Sequence, residues 1–223
     1  MLGIGETSSD FAPVLFPAQE QRILMKRLRC LGDFSMNRLS DWLYRVSNGR
    51  IALLSTIIFV LFTVVALPAQ SDIAASTSEN AGSPDTSFVY SADDLYEMAE
   101  AYGEVGRSAY IRARFTFDIV WPLVYTLFLA TTISWTFQKT FTPQTWWRRL
   151  NLAPLFGALF DYLENISASL VMYRYPLQTP VVDFMVPLFT LLKWIFISAS
   201  FILLLIGIVM VVWNSIRSRM GGQ

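Results

Sequence analysis

The sequence predicts an all-α membrane protein: a four-helix transmembrane bundle with a short extracytoplasmic amphipathic helix. Two observations carry this expectation. Hydrophobic residues make up 54% of the chain and charged residues 15%. The apolar residues come in near-continuous blocks, several of them close to the roughly 20 residues that a helix needs to cross about 30 Å of hydrocarbon. Charge is also segregated. The 17 basic and 17 acidic residues cancel overall, but Gln70 to Arg114 holds eight acids and three bases, whereas Met1 to Arg50 holds seven bases and five acids.

The same composition excludes much chemistry. A single cysteine, Cys30, rules out an intrachain disulfide, a CxxC redox pair and a cysteine metal cluster. The absence of histidine removes histidine metal sites and every scheme that uses imidazole as a base. No metal, cofactor or catalytic residue is expected, and a few surface bases give no support for nucleic-acid binding.

The expected organisation is a cytoplasmic N-terminal arm over 1–50 and a four-span membrane domain over 51–223, with an extracytoplasmic loop at 70–114. In the arm, Gln19 to Leu31 places Ile23, Leu24, Leu28 and Leu31 on one stripe beside a basic face, as suits a helix lying on an anionic leaflet. Ser35 to Val46 then sets Leu39, Trp42, Leu43 and Val46 on one side.

Span one is Ile51 to Leu67, read as an uncleaved anchor because its preceding segment is long and Leu67 fits a cleavage site poorly. Ser71 to Ser87 is rich in small polar residues and reads as a linker. Ser91 with Asp94 forms a capping-box pattern, and Leu95, Met98, Ala99 and Tyr102 share the face of a short helix that is expected to end near Gly103 or Gly106.

Span two is Phe115 to Trp135, entered through Arg107, Arg112 and Arg114 at the outer mouth. Pro122 removes the backbone donor for the Asp118 carbonyl, and Asp118, Pro122, Tyr125 and Thr132 lie near one face, which should turn inward. Trp146 and Trp147 mark the headgroup level before span three, Leu150 to Tyr173. That span gathers Gly157, Asp161, Glu164, Asn165 and Ala168 on one side. Span four runs from about Phe184 to Trp213 and contains Lys193. The basic flanks place both termini in the cytoplasm of a multi-pass plasma-membrane protein.

Glu164 and Lys193 each lie roughly 13 Å below the outer end of their spans, so their depths match. A lone charge there would cost about 2.5 to 3.5 kcal/mol on insertion scales, which makes pairing the natural resolution. Lys193 is therefore expected to meet Glu164 or Asp161, and Asp118 to meet Arg112 or Arg114. With two deep carboxylates and one deep lysine, one of Asp161 and Glu164 is expected to hold a proton. The candidate ligand or proton site is Asp118, Tyr125, Asp161, Glu164, Asn165 and Lys193.

The strings YGEVGRSAYIRARFTFDIVWPLVY and FDYLEN, in spans two and three, resemble a group of bacterial multi-span membrane proteins that carry D-x-x-E-N inside a span. The resemblance implies a polar intramembrane position and no activity. The first functional reading is thus a non-enzymatic membrane protein whose polar cluster ties the bundle or binds a small ligand. The alternatives are a small proton- or cation-coupled transporter and an intramembrane lipid-modifying enzyme. The expected partners are membrane lipids, with a membrane-protein partner or a second copy of the chain as further possibilities.

Overall fold

A computed structural model describes residues 36–78, 82–84 and 87–220. The expected helix at Gln19 to Leu31 lies outside the described residues. The chain divides into two compact units, Met1–Leu39 and Ser40–Gln223. Residues 36–39 of the first are helical, and the packing below belongs to the second.

Helices account for all regular structure among the described residues: α1 over 36–46, α2 Gly49–Ser78, α3 Ala92–Arg114, α4 Phe117–Thr140, α5 Ala153–Arg174 and α6 Val182–Met220, with a 3-10 helix at Trp146–Leu152. Three helical stretches are long and apolar enough to cross a membrane, Gly49–Pro68, Ala92–Thr140 (α3 with α4) and Val182–Met220. Helix α5, the expected third span, falls outside that set because Asp161, Glu164 and Asn165 interrupt its apolar run. A helix is the form that satisfies each backbone group within its own segment, which a chain without access to water requires.

Several boundaries differ from the sequence expectation. Helix α2 does not stop at Leu67 but continues through Pro68 to Ser78, where a linker was expected. Its start is fixed by Asn48, whose Oδ1 accepts from the amides of Arg50 and Ile51 at 3.0 and 3.1 Å. Helix α3 opens, as expected, on a capping box: the Ser91 side chain accepts from the Asp94 amide and the Asp94 carboxylate from the Ser91 amide. The Ser91 amide first, and then the Ser91 hydroxyl, donate to the Asp94 carboxylate and hold it below its ordinary range. Its first helical segment ends at Gly103, as expected, but the helix does not give way to a loop there. It breaks at Gly103 (φ 60°, ψ −176°), a conformation open essentially to glycine alone, and resumes to Arg114. Arg107 secures the break by donating to the Ala99 carbonyl at 2.9 Å.

Packing follows the placement of small residues and aromatics. At Gly207 of α6 an added Cβ would lie 2.9 Å from the Thr136 Cβ of α4, so only glycine permits this approach. Phe59 of α2 stacks on Phe128 of α4 with ring centroids 4.4 Å apart. One apolar cluster joins Tyr125, Phe128, Leu129, Ile133 and Phe137 of α4 to Ala158, Leu203 and Leu204. A second joins Leu95, Ala99, Tyr102 and Tyr110 of α3 to Ala168, Val171, Met172 and Val186. Along α5, Ala158 belongs to the first cluster and Ala168 to the second. The polar residues 161, 164 and 165 fall between them.

Candidate functional site

Position along α5 decides what its polar residues meet. Asp161, Glu164, Asn165 and Ala168 recur at the three- and four-residue spacings that put side chains on one helical face, and that face is buried, with Glu164 only 1% exposed. Helix α6 lies against it and supplies Lys193, buried to 4%. Lys193 Nζ forms an ion pair with Glu164 Oε2 and stands 3.9 Å from Asp161 Oδ1. One turn earlier on the same face of α6, Thr190 Oγ1 donates to Glu164 Oε1 at 2.9 Å.

Asp161 is held from two further sides. Tyr125 of α4 donates to its Oδ2 at 3.0 Å, and Asn165 Nδ2 donates to its Oδ1 at 3.1 Å. Asn165 also accepts from Arg114 Nη1 at 3.5 Å, and the same nitrogen meets Asp118 Oδ2 at 2.6 Å. The break between α3 and α4 spans only Phe115 and Thr116, and this brings Arg114 and Asp118 together as i and i+4 neighbours across it. The result is a continuous polar network through the end of α3 and helices α4, α5 and α6.

The six residues Asp118, Tyr125, Asp161, Glu164, Asn165 and Lys193 thus occupy one network. Of the three arginines expected at the outer mouth, Arg114 joins that network through Asp118 and Asn165. Arg107 instead lies over the Tyr175 ring, 4.7 Å from its centroid, and braces the α3 break. Arg112 is exposed, its carbonyl accepting from Thr116. Pro122 lies inside α4 without an N–H to offer the Asp118 carbonyl, and the Tyr162 hydroxyl donates to the adjacent Ile119 carbonyl at 2.8 Å.

Sequence reasoning missed two members. Thr190 could have been found from its place three residues before Lys193. Tyr90 gave no signal: it precedes α3, and its hydroxyl reaches Thr190 Oγ1 at 2.8 Å across a hundred residues of chain. A second polar cluster also went unread, beside α1. Asn151 donates to Ser134 Oγ at 3.0 Å and accepts from Ser40 Oγ at 2.8 Å, while Gln138 donates to the carbonyls of Tyr44 and Ser47. Tyr44 donates to the Arg148 carbonyl at 2.7 Å, and burial pushes its hydroxyl up to about 12.

No group of three or more metal-ligating side chains occurs among the described residues. Comparison with protein-family models, with curated proteins and with solved structures finds no match to this chain.

Proposed function

We propose that this chain is a non-enzymatic integral membrane protein of four crossings, with both termini in the cytoplasm, whose buried ionic network ties the helices into one bundle. The observation that carries this reading is the pairing of α5. Its two carboxylates face Lys193, Thr190 and Tyr125 of its neighbours, and its opposite side presents Leu159, Ile166 and Leu170 as exposed apolar residues. A helix so arranged enters hydrocarbon with its charges compensated by its neighbours, which removes the main obstacle to a crossing by α5. The exposed apolar residues of α2 and α6, such as Val64, Val65, Ile202 and Leu205, suit contact with lipid.

A double substitution tests the tie. Glu164→Leu and Lys193→Met are each expected to lower thermal stability in detergent, and the two together to recover most of the loss, because a tie is replaceable by matched apolar side chains. Failure of the double variant to recover would contradict the proposal. Tags that report sidedness, placed at Gly82 and Gln178, are both expected on the extracytoplasmic side.

A small proton- or cation-coupled transporter is the second reading, favoured by the ionisable character of the network, since interhelical ties are more often amides and hydroxyls. Proton flux into liposomes that exceeds the protein-free rate and disappears in Glu164→Gln would favour it over the tie.

A further inference from the structure

We propose that Glu164 is a proton-binding site, loaded from the end of the bundle that bears α3 through the hydroxyls of Tyr90 and Thr190, and that loading transfers the ammonium of Lys193 from Glu164 to Asp161. The inference rests on the reading of the network as a lipid-shielded interior and goes beyond the tie, which requires no titration.

The hydroxyl relay is oriented by its own hydrogen bonds. Thr190 has one proton and two acceptors in reach, Glu164 Oε1 at 2.9 Å and the Val186 carbonyl at 3.0 Å. While Thr190 donates to either, the 2.8 Å contact with Tyr90 requires the tyrosine to be the donor. In the arrangement in which Thr190 donates to Glu164, Tyr90 points its proton at Thr190 and the two hydroxyls run in series to the carboxylate. Tyr90 is itself buried, at 9% exposed, but it directly follows Phe88 and Val89, which are 60% and 87% exposed, so the relay begins one residue in from the surface.

Each proton is accounted for in the transfer. Thr190 gives its proton to Glu164 Oε1, Tyr90 gives its proton to Thr190, and the Tyr90 oxygen takes one from the medium. The O–H bonds of Thr190 and Tyr90 each break and re-form, and the net change is one proton taken from the medium and one new O–H bond on Glu164. The loaded acid finds a partner without rearrangement, because Thr190 then turns its proton to the Val186 carbonyl and accepts from Glu164.

Lys193 supplies the second position of the switch. It lies between two carboxylates, paired with Glu164 and 3.9 Å from Asp161, so a neutral Glu164 leaves Asp161 as the counter-ion. The groups that face this centre are Tyr125 and Asp118 from α4, Arg114 from the end of α3, Asp161 from α5, Lys193 from α6, and Tyr90. A proton fits the site better than a metal cation does. Hydroxyl, amide and ammonium donors already approach the carboxylate oxygens from several sides, and a proton occupies one oxygen whereas a metal needs several.

Infrared difference spectra of the full-length protein in liposomes, recorded across pH, test this directly. A carbonyl band of a buried protonated carboxyl is expected to appear on acidification, to shift when glutamate but not aspartate carries carbon-13, and to vanish in Glu164→Gln. Tyr90→Phe should keep the band while slowing its appearance after a pH jump several-fold. A band that follows labelled aspartate, no band across the pH range in which the fold persists, or wild-type kinetics in Tyr90→Phe would overturn the proposal. The labelled wild-type protein decides the site even if Glu164→Gln does not fold. A missing band together with stability recovered in the Glu164→Leu/Lys193→Met variant would sink the proton site and leave the tie standing.

Discussion

At the end of the helices that lies beside α1, neighbouring elements are joined by neutral groups: the Asn151 amide between Ser40 and Ser134, the Gln138 amide on two carbonyls, and Ser55 against Thr131 at 2.8 Å. At the end that bears α3, the same task falls to charges, Lys193 with Glu164 and Asp161, and Arg114 with Asp118. Both ends satisfy buried polar groups, but they respond differently to perturbation. A neutral tie fixes geometry whatever the pH. A charged tie leaves an uncompensated ion when one partner is lost, and it can exchange a proton.

The largest expected effect lies at the charged end. Lys193→Met strands Glu164 and Asp161 in the interior and should cost about 3 to 5 kcal/mol, the range for removing one member of a buried ion pair. Thermal unfolding in detergent measures it, and a loss below that of the Asn151 variant would reverse the contrast between the two ends. Asn151→Ala leaves Ser40 and Ser134 without their amide, at about 1 to 3 kcal/mol. That loss should be the same at pH 5 and pH 8, and a pH-dependent loss would mean that the neutral end is coupled to titrating groups.

Gly103→Ala asks how firmly α3 is attached to the charged end. The glycine-only backbone angle implies a cost of about 1 to 3 kcal/mol. Because Arg114 lies in the second half of α3, beyond the break, hydrogen exchange should rise over Ala92–Tyr102 while the Arg114–Asp118 pair stays protected. Ser55→Ala removes a single hydroxyl contact and should cost about 0.6 kcal/mol, the average for such interhelical bonds in a membrane protein.

The smallest effect concerns Asp94. Its carboxyl is held below the ordinary value in the fold, so its contribution to the first turn of α3 is present above the unfolded value and is lost as pH falls through the lower, native one. Amide exchange in that turn, followed from neutral to acid pH, should therefore rise only at the acid end. A rise near neutral pH would show that another group controls the turn.

Much of this was legible in the sequence because it depends on groups close together in the chain. Unbroken apolar runs gave α2, α4 and α6, and the Ser91 and Asp94 spacing gave the start of α3, since a capping box needs only four consecutive residues. The demand that Asp161, Glu164 and Lys193 find partners also followed from residue type alone, because hydrocarbon does not accommodate lone charges cheaply. The break at Gly103 was legible, but the second helical segment that follows it directly to Arg114 was not. A glycine in an amphipathic run reads as a stop, and the continuation depends on Arg107 reaching back to Ala99 and on α5 covering Leu95, Ala99 and Tyr102.

The sequence by itself determined the helical character of the chain, the location of its apolar segments and the need for the buried charges to be paired. Only the tertiary structure decided that Lys193 sits closer to Glu164 than to Asp161, that Tyr90 completes a hydroxyl chain with Thr190, and that Asn151 joins Ser40 to Ser134. Each of these contacts depends on the axial offset between helices distant in sequence. That offset is set by close approaches such as Gly207 on Thr136 and by stacking such as Phe59 on Phe128. Within an apolar run, many registers bury similar area, so hydrophobicity alone does not choose among them. Side-chain fit between neighbouring helices makes the choice.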